Sequence, residues 1–389
     1  MSTQKKKHSL LNNAFFREIF FQVLLVTVIL LFFWFIAHNT MANLDKRGIA
    51  TGFKFLSQAS GFGIIQHLVP YDETYSFGWT FVVGLLNTIL VSGVGVILAT
   101  LIGFTVGVAR LSNNWLIAKI ATTYVEIFRN IPLLLQIFFW YAICRSLPSP
   151  KLSWSFEDII FLNIRGGYVP KPIFEEGFSW VIWAAILAIA LTLCIRYWAK
   201  KRQDATGQQF MVLPVGISLI FGLPVLAFLV TGSPLGWDLP TLQGFNFKGG
   251  MTIIPEFAAL LIALSIYTGA FIAEAVRSGI LAVSKGQTEA AASLGLHKSR
   301  ILRLVTIPQA MRVVIPQLTS QYLNLTKNSS LATAIGYPDL VSVFSGTTLN
   351  QTGQAIEIVG MTMLVYLFIS LTISLFMNWY NKKMMLVER

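Results

Sequence analysis

Residues 19–37 form a predominantly apolar run without one charged side chain. A stretch of about 20 such residues crosses the hydrocarbon core of a bilayer as a helix. A helix satisfies every backbone N–H and C=O within the segment, which a lipid-exposed loop cannot do. Seven further stretches follow, at residues 79–109, 121–143, 180–198, 211–230, 252–275, 313–335 and 356–380. The stretch at 313–335 is the most polar, and that at 121–143 contains Glu126 and Arg129. The expected fold class is therefore all-α and integral to the membrane, with about eight transmembrane helices.

Composition closes off the alternatives. Only 12% of the 389 residues are charged and 55% are hydrophobic, whereas a soluble domain carries about 25% charged residues. An ordinary soluble enzyme and a disordered chain are both excluded. The net charge of +12 raises nucleic acid as a partner, but the apolar background argues for membrane lipid and against nucleic acid. The basicity follows instead from loop charges, since Lys and Arg gather on the cytoplasmic side of a membrane protein. With the N-terminus inside, nineteen of the 29 Lys and Arg fall in inner segments and nine, Lys327 among them, in outer ones, with Arg129 inside a span. Eight spans then place both termini in the cytoplasm. The run at 19–37 is too long for a cleaved signal and is expected to be an anchor. Cys144 and Cys194 stand near opposite ends of their spans, so two free thiols are expected. The four His are scattered, and no zinc or redox spacing exists.

The longest pattern without an apolar explanation is cytoplasmic in this topology. It runs from Lys285 through Gly286, Thr288, Glu289, Ala290, Ala291, Ala292, Gly295, Arg300, Arg303, Val305 and Ile307 to Pro308 and Ala310. Its chemistry predicts a short helix, a break and a second helix. Thr288 suits an N-cap, with Glu289 at the positive helix end. The three alanines favour helix and present a smooth surface. Gly295 suits a left-handed C-cap. A second helix begins near Ser299, carries Arg300 and Arg303, and ends or kinks at Pro308.

The spacing of Glu289-Ala290-Ala291, Gly295, Val305, Ile307 and Pro308 resembles the coupling loop of the membrane subunits of bacterial ABC importers. Flanking segments narrow the resemblance. They are residues 268–277 (TGAFIAEAVR), residues 327–331 (KNSSL) and residues 124–134 (YVEIFRNIPLL). Together these are similar to the polar-amino-acid permease branch, over roughly residues 79–145 and 252–380. The chain length, and two spans interrupting a five-span core, resemble a permease subunit of the general L-amino-acid or the glutamate/glutamine/aspartate/asparagine transporters.

The resemblance implies a division into an N-terminal anchor and periplasmic segment at 1–78 and a first core part at 79–145. Periplasmic loops with an inserted helix pair follow at 146–251. A second core part at 252–389 contains the coupling loop at 285–310. It implies a bacterial inner-membrane location. The implied partners are a second homologous permease subunit, an ATPase dimer and a periplasmic amino-acid-binding protein. No cofactor is expected on this chain. No Gly-Lys dipeptide of a Walker loop occurs in it, so ATP and magnesium belong to the partner subunit. The chain is expected not to be an enzyme. A stand-alone secondary transporter driven by ions is the alternative, and the sequence shows no internal repeat of the kind many such transporters contain.

Two further groups carry candidate chemistry. Glu126 and Arg129, three apart, share one helix face, as do Glu274 and Arg277. Intramembrane charges mark pathways or structural ion pairs, and for both pairs the structural reading is favoured. Asn328, Ser329, Ser330 and Thr333 offer donors and acceptors to an amino-acid zwitterion without a deep charge trap. Hydrogen bonding between helices accounts for them equally well. Gly103 with Gly107, and Gly269 with Ala273, are small-residue pairs expected to pack helices.

Overall fold

The computed structural model describes residues 14–46, 48 and 51–384. Among the described residues, six helices are each long and apolar enough to cross a membrane. They are α1 (Ala14–Lys46), α2 (Phe77–Ala109), α5 (Phe178–Thr206), α6 (Val212–Val230), α7 (Pro255–Leu281) and α12 (Ala355–Met384). The span expected at 121–143 is a bent pair, which makes a seventh span when counted as one. Here α3 (Trp115–Asn130) and α4 (Leu133–Arg145) meet at 107°. Pro132 explains the break: it has no N–H to donate, and its ring drives Ile131 out of helical geometry. The polar stretch at 313–335 forms most of α10 (Ile307–Asn328), continued by a 3-10 turn at Ser329–Ile335. Three short helices complete the set, α8 (Lys285–Ser293), α9 (Lys298–Ile301) and α11 (Leu349–Thr352).

The chain divides into two compact units, residues 1–126 with 268–389, and residues 127–267. In the first, α2 presents a stripe of small buried residues, Gly84, Thr88, Gly95, Ala99, Gly103 and Gly107. This stripe lets α7 approach closely. A Cβ on Gly107 would lie 2.7 Å from the Ala273 carbonyl, and one on Gly269 would lie 2.9 Å from the Ile102 side chain. The small-residue pairs therefore pack helices, as expected. At its other end α2 is stitched to the loop 337–340. Asn87 Nδ2 donates to the carbonyls of Gln66 and Pro338, both at 2.8 Å. Tyr337 Oη donates to the Asn87 carbonyl at 3.1 Å, and Leu340 N to Thr88 Oγ1 at 3.0 Å. Phe55, Phe77, Leu340, Phe344 and Ile358 form the apolar cluster beside this seam.

The second unit holds a layer of strands where loops are expected from the sequence. The strands are β1 (Trp154–Phe156), β2 (Ile160–Asn163), β3 (Gly166–Val169), β4 (Lys171–Phe174), β5 (Leu235–Asp238), β6 (Thr241–Gln243), β7 (Asn246–Lys248) and β8 (Met251–Ile253). An antiparallel sheet runs in the order β1-β2-β3-β8. The pair β4–β5, in register from Lys171 opposite Asp238 to Phe174 opposite Leu235, forms a stem from which the α5–α6 hairpin emerges. Both helices of the hairpin are apolar and exposed almost throughout, as lipid-facing helices are.

Candidate functional site

The segment between α7 and α10 builds a small helical arm. Ser284 precedes α8, and its carbonyl accepts from Gln287 N at 3.1 Å. The helix thus starts one turn before the expected position. Thr288 is not its cap: its hydroxyl donates to the Lys285 carbonyl at 2.7 Å from inside the helix. Glu289 accordingly lies in the middle of α8, away from the positive end.

The C-terminus of α8 matches expectation closely. Gly295 adopts φ +77°, where a side chain is strained. Gly295 N donates to the Ala292 carbonyl at 2.9 Å and Leu296 N to the Ala291 carbonyl at 3.3 Å. These two bonds make a complete Schellman closure, satisfying carbonyls that a helix end leaves orphaned. A turn of α9 follows, with His297 Nδ1 accepting from Ser299 N at 3.4 Å. Residues Leu302–Thr306 then widen into a π-turn, and α10 begins. Pro308 lies in the first turn of α10, directly after the π-turn, so of the two expected outcomes the helix stop is excluded. The wider turn before it makes room for a ring that would otherwise meet the carbonyl of Leu304.

Helix α8 packs on α9 and the π-turn. Ala291 turns inward and is 6% exposed. The three alanines therefore do not share one outer surface. Glu289, Ala290, Ala292 and Arg300 are exposed. Glu289 and Ala292 line a groove with Lys298, Ile301, Leu302 and Thr306. Leu294, 82% exposed, stands at the tip.

Above this arm, Arg110 at the end of α2 forms an ion pair with Glu274 of α7, and Arg277 Nε lies 4.0 Å from the other Glu274 oxygen. The Arg110 side chain is only 7% exposed. This is the structural role expected for Glu274 and Arg277, with a third member the sequence did not reveal. Glu126 and Arg129 lie on exposed positions near the end of α3, before the 107° bend, and not in the middle of a continuous span.

The polar run after α10 sits at one junction. Ser329 is fully buried and its hydroxyl donates to the Thr326 carbonyl at 2.7 Å. Ser330 Oγ donates to the Lys327 carbonyl at the same distance. Asn328 is half-buried and Thr333 exposed. Lys327, counted with the outer loops from sequence, belongs to the last turn of α10. With Ser330, Val341, Thr362, Tyr366 and Ser370 it lines a groove of about 510 Å³. Lys327 is exposed into this groove, and Ser370 is midway along the apolar helix α12. Such a cation is a functional candidate by default. Its signal was the single Lys within an otherwise uncharged stretch.

Asp339, in the loop after the 3-10 turn, had no sequence signal. It is fully buried. Burial pushes its carboxyl up to about 7, against the lowering effect of the Ser342 and Val341 N–H groups and of the Tyr366 and Thr333 hydroxyls. Ser342 N donates to it at 2.8 Å and Tyr366 Oη at 3.4 Å.

This architecture, a bundle of apolar helices with an Ala-rich arm closed by a left-handed glycine, has a clear family. Residues 93–385 match the model of the binding-protein-dependent transport system inner membrane component, and the chain belongs to that family. It is 55% identical to the putative amino-acid ABC transporter permease protein YhdX of Escherichia coli (strain K12), over 100% of this chain and 99% of that one. It is 53% identical to the general L-amino acid transport system permease protein AapQ of Rhizobium johnstonii, over 96% and 94% of the two chains. Identity is 42% to the glutamate/glutamine/aspartate/asparagine transport system permease protein BztB of Rhodobacter capsulatus, over 98% and 96%.

Proposed function

We propose that this chain is the permease subunit of an ATP-driven importer that carries polar L-amino acids across the bacterial inner membrane. The observation that carries the reading is the arm at 285–310. An exposed helix on a rigid glycine turn, joined through α10 to the bundle, can receive a push and pass it on. Glu289, Ala290, Ala292, Arg300 and the tip at Leu294 form the contact with an ATPase dimer. Ala291, Gly295 and Pro308 set the shape of that contact from within. ATP and magnesium are bound and consumed on the ATPase, and this chain holds no cofactor. A second homologous permease subunit completes the pathway and a periplasmic binding protein delivers the substrate. Both termini are cytoplasmic.

The substrate path runs past the α10–α12 groove. Lys327 offers a cation to a carboxylate. Asn328, Ser330 and Thr333 add weak polar contacts. The Ser329 hydroxyl is taken up by the Thr326 carbonyl, and Glu126 stands exposed near the end of α3. The names of the similar permeases, all amino-acid systems, support the substrate class.

The test is uptake into proteoliposomes. The complete complex should accumulate labelled glutamate, glutamine and alanine only with ATP on the ATPase side and binding protein on the other. Uptake by this chain alone, driven by an ion gradient and indifferent to ATP, would establish the secondary-transporter reading instead.

A further inference from the structure

The α5–α6 hairpin carries a second surface that the transport reading leaves unused. Its helices bury almost nothing. Leu187, Ile189 and Leu193 of α5 and Ile217, Phe221, Leu226 and Leu229 of α6 are all exposed. Trp180 and Trp183 line an apolar groove between the helices near the strand stem. At the opposite end Trp198 packs edge-on to Phe210, with ring centres 5.5 Å apart. Trp180 and Trp198 stand roughly 27 Å apart along α5 at about 1.5 Å per residue. That separation is close to the thickness of a hydrocarbon core, and Trp gathers at both of its boundaries.

Directly around Trp198 lie four cations within less than two turns, Arg196, Lys200, Lys201 and Arg202. Arg202 is held, its guanidinium 5.4 Å above the Trp198 ring and its Nη2 donating to Gln208 Oε1 at 2.6 Å. Arg196, Lys200 and Lys201 are exposed. Arg196 and Lys200 share one face, which Asp204 continues one turn further on. Asp204 is the one charge that residues 203–212 contribute. The cluster therefore has a strong local excess of positive charge at the level where a bilayer's headgroups begin.

We propose that this end of the hairpin binds the phosphate headgroup of an anionic phospholipid. Arg196, Lys200 and Lys201 contact the headgroup, and the exposed apolar faces of α5 and α6 take the acyl chains. Lipid is favoured over a protein partner because the cations are continuous with apolar surface on both helices and with an interfacial tryptophan. Each Lys or Arg near an anionic surface contributes roughly fivefold in affinity.

The test uses the complex purified into nanodiscs of mixed phosphatidylcholine and phosphatidylglycerol, with retained lipids counted by native mass spectrometry. The wild type should retain phosphatidylglycerol in preference to phosphatidylcholine, and salt should weaken that preference. The triple variant Arg196→Gln, Lys200→Gln, Lys201→Gln should lose it by at least about tenfold. The conservative pair Lys200→Arg, Lys201→Arg should keep it. An unchanged preference in the triple variant overturns the proposal, as does a wild type that retains both lipids equally. If the triple variant keeps its lipid preference but no longer co-purifies with the ATPase, the cluster is a protein contact and the proposal fails.

Discussion

Arg110, the residue that ends α2, and Glu274, on α7, form an ion pair in which the Arg110 side chain is 7% exposed and the Glu274 side chain 31%. The pair fastens two helices just before the chain enters the arm at 285–310. Removing one member leaves a charge without its partner in a confined place, which is costly when the site is dry. Because Glu274 is partly exposed, Glu274→Gln should cost about 1–3 kcal/mol. The thermal midpoint of the purified subunit in detergent should fall accordingly. An unchanged midpoint would mean that the pair contributes nothing to the closure of α2 on α7.

A stronger effect is expected at Gly107. A Cβ there would stand 2.7 Å from the Ala273 carbonyl and 2.8 Å from Val276 Cβ. Backbone cannot yield as a flexible side-chain tip can. Gly107→Leu should destabilise by about 3 kcal/mol or more, seen as loss of folded protein from the membrane fraction. Recovery of normal amounts would show that α2 and α7 can separate without penalty.

Gly295 separates shape from stability. Its φ of +77° makes Gly295→Val strained by about 1–3 kcal/mol, too little to unfold the protein but enough to misdirect α8. Membrane insertion should be normal while ATP-coupled uptake and co-purification of the ATPase fall. Gly295→Asn, which tolerates the left-handed region, should restore both. Ala291→Arg is a different experiment, because Ala291 is buried inside the arm. It should disrupt the arm itself, so Leu294→Asp is the cleaner probe of the contact. Full uptake in both Gly295→Val and Leu294→Asp would remove the arm from transmission.

Asp339 predicts a pH dependence. Its carboxyl is raised to about 7 by burial, above the unfolded value near 4. The folded state therefore binds the extra proton, and the associated stability is fully present below about pH 4. It is lost as pH rises through about 7, a change on the order of 4 kcal/mol. Asp339→Asn mimics the protonated form and should flatten that slope. Melting curves between pH 5 and 8 check this; equal slopes in the variant and the parent would place the titration elsewhere.

Membrane orientation is tested by single cysteines in a background lacking Cys144 and Cys194. Cysteine at Gln203, at the far end of the hairpin, should label from the cytoplasm. Cysteine at Gln243, in β6, should label from outside. The reverse pattern would invert the hairpin and the strand layer with it.

The apolar runs were legible because hydropathy is a local property: twenty residues without charge must hide from water whatever surrounds them. The same is true of the arm, where Ala290 to Ala292 favour helix and Gly295 supplies the turn without help from distant residues. The break at Ile131-Pro132 was also written locally, and the long apolar run around it masked it. Tertiary structure decided the rest. Strands of three or four residues have no period of their own, and β3 pairs with β8, as β4 does with β5, only after the chain has travelled out and back through α5 and α6. Asp339 reads as an ordinary loop acid until α2 and α12 close over it. Lys327 reads as a loop cation until α12 brings Ser370 beside its groove. Charge and hydrophobicity belong to the residue, but burial and pairing belong to the neighbours that folding assembles, and these come from far along the chain.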